Sequence, residues 1–153
     1  MIFSKFISRV PAKKRFKNAN CSGANLIGGN YVGADLKNIN FSNAKLVNAQ
    51  LSGADLSGAN LKGANLSGAD LKWAKLNRCV LTDANLSGAD LSGADLQWAM
   101  VNGTILRGVN LSGANLLGTG LVRTVFFEKN LLITFDDATI WDEMRYFTRP
   151  VVT

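Results

Sequence analysis

A period of five is the feature that most limits what this chain can fold into. In residues 51–74, LSGADLSGANLKGANLSGADLKWA, a leucine recurs as Leu51, Leu56, Leu61, Leu66 and Leu71, and two places before each stands Ala49, Ala54, Ala59, Ala64 or Ala69. An interval of five matches neither the 3.6 of a helix nor the 2 of a strand, so neither element explains the apolar pairs. The chain must instead turn once per phrase. Gly53, Gly58, Gly63 and Gly68 stand two places after each leucine, where a tight turn can use a residue that tolerates positive φ. Short extended segments joined by regular turns make a solenoid.

The register runs outward from this block to Phe16 on one side and Leu131 on the other. The central position is Leu in most repeats and otherwise Phe, Tyr, Cys or Val. The position two before is Ala or one of a few substitutes: Gly29, Ile39, Cys79, Thr104, Val109, Thr119 and Thr124. Large and small residues alternating inward suit a narrow tube, and the other three positions, rich in Asn, Asp, Ser, Lys and Gly, suit its outside. All glycines except Gly29 and Gly120 share the one turn column.

The phrase A(D/N)LxG, written here as Ala54-Asp55-Leu56-Ser57-Gly58 and Ala64-Asn65-Leu66-Ser67-Gly68, resembles that of the pentapeptide-repeat proteins, and so many consecutive matches in register make the resemblance specific. It implies an all-β fold, a right-handed quadrilateral β-helix with four pentapeptides per coil. It also implies a non-enzymatic protein. The best described members of that family are acidic dimers that imitate DNA and occupy type II topoisomerases; many cyanobacterial members have no assigned activity.

The expected organisation is one domain in three parts: a basic amphipathic cap helix over 1–18, the repeats over 19–131, and a C-terminal cap over 132–153. In the first part Ile2, Phe3, Phe6, Ile7 and Val10 recur at helical spacing and Pro11 stops the pattern. Lys5, Arg9, Lys13, Lys14, Arg15 and Lys17 occur there with no acidic residue, so this segment carries the whole net charge of +6. It reads first as a cap on the open tube. A membrane surface reached through residues 1–10 is the second reading, because anionic lipid attracts a basic amphipathic segment. At the other end, Trp141, Tyr146 and Phe147 belong either to a cap on a monomer, the favoured reading, or to a C-terminal dimer face of the kind the resemblance suggests. Cys21 and Cys79 fall in inward columns several coils apart, too far for a disulfide, and read as buried thiols in a reducing compartment; with no run of transmembrane length and no secretory h-region at the N-terminus, the expected location is the cytoplasm.

The wall carries the irregularities. LKWAKLNRCVLTDANLSGAD (71–90) is echoed by LQWAMVNGTILRGVNLSGAN (96–115) at an offset of twenty-five, and both copies put a tryptophan, Trp73 and Trp98, in the glycine column. Stacking at twenty residues sets Trp98 above Arg78 and Met100 above Val80, with Leu117 and Val122 close by. Trp73, Arg78, Val80, Trp98 and Met100 are therefore the candidate partner-binding residues, since an aromatic and an arginine among exposed apolar side chains make a protein-binding composition. The expected partner is a protein. Nucleic acid is not expected, and topoisomerase inhibition by mimicry stands only as an alternative, because Lys75 interrupts the acidic column of Asp35, Asp55 and Asp95 and a DNA imitator needs a continuous negative field. With no histidine in the chain, His-based catalysis and most zinc sites are absent. The stacked Asp70 and Asp90 would point out from a convex rod with no pocket around them. No cofactor, metal or catalytic residue is expected.

Overall fold

The computed structural model describes residues 16–119. They form five coils of twenty residues, 16–35, 36–55, 56–75, 76–95 and 96–115, and the start of a sixth. Parallel bridges join residues twenty apart in four columns, for example Asn40↔Asn60, Asn65↔Asn85, Asp70↔Asp90 and Asp55↔Lys75. A five-residue phrase that must also turn leaves one residue per side for pairing, so each strand is a single bridge. No helix occurs among the described residues. The expected caps, with Trp141, Tyr146 and Phe147, lie outside them. The ladder opens at Phe16, whose amide donates to the Asp35 carbonyl at 3.0 Å, and continues at Asn18, which donates to Lys37. Residues 16–18 therefore belong to the first coil.

One repeat shows why the motif reads as it does. The Ala59 amide closes a turn on the Leu56 carbonyl at 2.9 Å. Positive φ at the third turn position, 69° at Gly58, is what a type II turn requires. Asp55 donates back to Ala34 at 2.9 Å; Leu56 and Gly58 donate forward to Lys75 and Asn77 at 2.8 and 3.0 Å. That leaves the amide of Ser57, which donates to Oδ1 of Asp55 at 3.2 Å. All five amides are thus satisfied, the last only because the position before leucine holds Asp or Asn. The same side-chain bond recurs at Asn40, Asn60, Asn65, Asp70, Asn85, Asp90, Asp95, Asn110 and Asn115.

The core is a single file. From Leu36 to Leu116 every central side chain is buried, and so is every small residue two before it. Two substitutions in the small column are polar but bonded: the Thr104 hydroxyl donates to the Leu81 carbonyl at 2.8 Å, and that of Thr119 to Leu116 at 2.7 Å. The first two coils are the aromatic ones. Phe16, Cys21, Tyr31, Leu36, Ile39 and Phe41 line a gap between them with no room for water, and the rings of Tyr31 and Phe41 meet at 6.5 Å and 60°. A methyl group on Gly29 would run into the Tyr31 ring, which explains the one glycine in the small column: it makes room for a larger neighbour. The Tyr31 hydroxyl is buried without a hydrogen-bond partner, and burial, with Cys21 beside it, pushes its pKa well up.

Candidate protein-interaction surface

Side chains in the turn column lean toward the following coil, and this decides where a large one fits. Asn38, Asn43, Asn48, Trp73, Asp83 and Trp98 all hold positive φ, and each lies over a glycine twenty residues later: Gly58, Gly63, Gly68, Gly93, Gly103 and Gly118. A β-carbon at any of those glycines would meet the side chain that reaches it from the coil before. The column 18–38 solves the crowding differently, with the Asn38 amide group donating to Oδ1 of Asn18 at 3.3 Å.

Trp98 follows this rule. Its ring lies over Gly118, on the side of its coil away from Arg78, which shares the column twenty residues earlier. Trp98 remains 56 % exposed at φ 60°. Arg78 is exposed at φ 58°. Val80 pairs with Met100 in the adjoining column, where Met100 is 53 % exposed. Arg78, Val80, Trp98 and Met100 are therefore brought together on coils 76–95 and 96–115. Trp73, 70 % exposed at φ 57°, stands one corner earlier in coil 56–75, over Gly93, and is not part of that group. Val122 lies outside the described residues.

Ile105, half exposed, was not singled out by the sequence and extends the patch to the next column. The signal for it was present: Val80, Met100 and Ile105 are the apolar occupants of the Asn/Asp position within 20–115. Their presence removes an acceptor. Among the described residues nothing accepts from the amides of Thr82, Asn102 and Arg107, which Asn or Asp side chains serve in most other repeats.

The acidic columns are structural. Burial raises the Asp55 carboxyl, but the Ser57 hydroxyl at 2.6 Å, the Ser57 amide and the Lys37 ammonium at 3.3 Å outweigh it, and the net pKa is below the usual carboxylate value. Asp90 is lowered in the same way: burial opposes, while Ser92 and Lys72, 3.4 Å away, prevail. Lys75 approaches Asp55 at 3.9 Å. These carboxylates are engaged as turn acceptors and ion-pair partners, and among the described residues no three of His, Cys, Asp or Glu gather as a metal site. Cys21 and Cys79 are free thiols, and burial pushes that of Cys79 to about 12.

A turn every fifth residue, a twenty-residue coil and a lumen of leucine and alanine define the class: a quadrilateral β-helix. The family model for pentapeptide repeats matches in eight copies, over 19–58, 34–72, 44–83, 64–100 and 89–126, and the chain belongs to that family. The coil of such proteins is right-handed, and they are typically structural or interaction proteins rather than enzymes. Among solved structures it is similar to a pentapeptide repeat protein from Nostoc PCC 7120, at 27 % identity over 84 % of this chain and 85 % of that one, TM-score 0.40. It is also similar to one from the cyanobacterium Cyanothece 51142, at 32 % over 88 % and 67 %, TM-score 0.24. A third is from the thylakoid lumen of Arabidopsis thaliana, at 26 % over 78 % and 74 %, TM-score 0.32. No curated protein matches the sequence.

Proposed function

We propose that this protein is a non-enzymatic interaction or scaffold solenoid that binds a protein partner through the wall patch of Arg78, Val80, Trp98, Met100 and Ile105. One observation carries the reading. Trp98 occupies a left-handed turn position while more than half exposed. That conformation costs a residue other than glycine roughly 1–2 kcal/mol, and an exposed ring recovers little of it by burial within the chain. Strain held at an exposed aromatic among apolar neighbours is offset when a partner covers it. The protein acts as a monomer in the cytoplasm in this reading, with both cysteines reduced.

Charge argues against the mimic of DNA. Residues 16–119 hold eight Lys and Arg against six Asp, so the wall offers no continuous negative field. Attachment to a membrane surface rests on residues 1–10, outside the described residues, and flotation with anionic liposomes tests it.

The deciding experiment is a pull-down from the native host with Trp98→Gly, beside Lys62→Ala on the same wall. Glycine suits the left-handed turn, so Trp98→Gly keeps the fold and melts no earlier than the native chain. Loss of a central tryptophan costs at least about 2 kcal/mol of binding, roughly thirty-fold. Equal recovery of the partner by Trp98→Gly and the native chain overturns the assignment.

A further inference from the structure

Asn102 and Gly103 form the one Asn-Gly pair in the chain, and they stand where the ladder lets go of a turn. Inside the stack, the peptide group that enters the turn column is held at both edges. Its carbonyl accepts from the coil before, and its N–H donates to a carbonyl of the coil after, as Gly58 does to Asn77 at 3.0 Å. From Asn18 to Trp98 every turn-column amide makes that second bond. At Asn102-Gly103 only the first remains: the Asn102 carbonyl accepts from the Asp83 amide at 3.0 Å, while among the described residues nothing accepts from the Gly103 amide. The Asn102 amide is unserved too, because Met100 stands where an Asn or Asp side chain would accept from it. The turn closes from Thr104 to Val101 at 3.2 Å, against 2.9 Å for Ala59 to Leu56. Both residues are exposed, and Gly103 has no side chain to shield its nitrogen.

We propose that Asn102 is a site of spontaneous deamidation, a slow covalent change built into the fifth coil. The Gly103 nitrogen, losing its proton to solvent, attacks Cγ of Asn102; the Cγ–Nδ2 bond breaks and ammonia leaves, which closes a five-membered succinimide. Water then opens the ring at either carbonyl and gives aspartate or isoaspartate. Amide and water thus become acid and ammonia, with no other reactant. The attack needs a nitrogen that is solvated rather than shared with a carbonyl, and a peptide group that can rotate toward its own side chain. In the other coils two hydrogen bonds oppose that rotation, and here one does. Either product puts a new carboxylate next to Met100 and beside that of Asp83, whose side chain lies against Gly103. Isoaspartate also routes the backbone through Cγ, one atom longer than before, and a phrase of fixed length cannot absorb it without loosening the coil. The inference concerns the chain's own chemistry and does not depend on a partner.

Peptide mapping by mass spectrometry, after incubation of the full chain near neutral pH, tests this with Arg78→Gly as the comparison. That change gives Asn77 the same neighbour at the same place in a turn, but in a coil where the amide of residue 78 donates to Gln97 at 2.9 Å. Glycine suits the left-handed conformation there. In the folded variant Asn102 is expected to convert at least about tenfold faster than Asn77, which the ladder bond protects. In denaturant, where no ladder exists, the two convert at similar rates. Conversion of Asn102 in the native chain rises with pH, because the attacking nitrogen must shed a proton. Equal rates at the two sites in the folded variant overturn the proposal. A second comparison needs no variant: if Asn102 of the native chain stays intact over the time in which the denatured native chain converts, the proposal fails as well.

Discussion

Gly29 and Tyr31 form a coupled pair in the first coil: the glycine exists to admit the ring. Gly29→Ala therefore overpacks the lumen and destabilises by roughly 1–3 kcal/mol, and Tyr31→Leu, which restores the usual leucine, removes most of that penalty. A double-mutant cycle read by denaturant unfolding measures the coupling. The Asp55 side chain has two separable roles, as acceptor for Ser57 and as a charge beside Lys37. Asp55→Asn keeps the first role and Asp55→Ala loses both, so alanine is the more destabilising, by about 1 kcal/mol. Because the folded pKa of Asp55 lies below its ordinary value, its charge contributes stability in full above that value. The contribution is lost as pH falls through the depressed one. Melting temperatures of the native chain should fall more steeply than those of Asp55→Asn below about pH 4.

At the scale of one repeat, inside and outside alternate so strictly that three neighbouring substitutions separate them. Leu66→Ala leaves a cavity costing roughly 2–5 kcal/mol. Ala64→Leu forces a large side chain into a fully buried corner at roughly 1–3 kcal/mol or more. Ser67→Leu, on the wall, shifts the unfolding midpoint little; equal losses in all three variants would refute the assignment. The five-residue phrase made this much legible in advance, with the turn glycines and their positive φ. It was legible because burial and backbone strain act on each position alone. What escaped was the relation between repeats. The pairing of Trp98 with Gly118, or Asn48 with Gly68, is written in the sequence at a spacing of twenty, but it acquires meaning only once side chains are known to lean forward rather than back. Ile105 escaped for a similar reason. A lone isoleucine is unremarkable until its position is recognised as the acceptor for an amide.

Over the whole rod, stability is a sum of coils and the contacts between neighbours, so the ends open before the middle. The two thiols report on this from different places. Cys21 lies in the first coil, partly exposed; Cys79 is buried in the fourth, with its pKa pushed to about 12. Under native conditions a thiol reagent should label Cys21 readily and Cys79 only at the rate at which the fourth coil opens. Mass spectrometry of the labelled peptides distinguishes this from simultaneous labelling, which would mean that the rod unfolds as one unit.

The identical quarter-coil also governs how such a surface can change by descent. An insertion or loss of five residues leaves every leucine and alanine in an inward position, yet it rotates all later residues by one face and so rewrites the wall while sparing the interior. The echo of 71–90 in 96–115 is displaced by twenty-five, one coil and one such step. A displacement of twenty would have set the second tryptophan where Gly93 now makes room for the first. The extra step moved it to a fresh corner, above Arg78 and beside Met100, and that rotation assembled the patch.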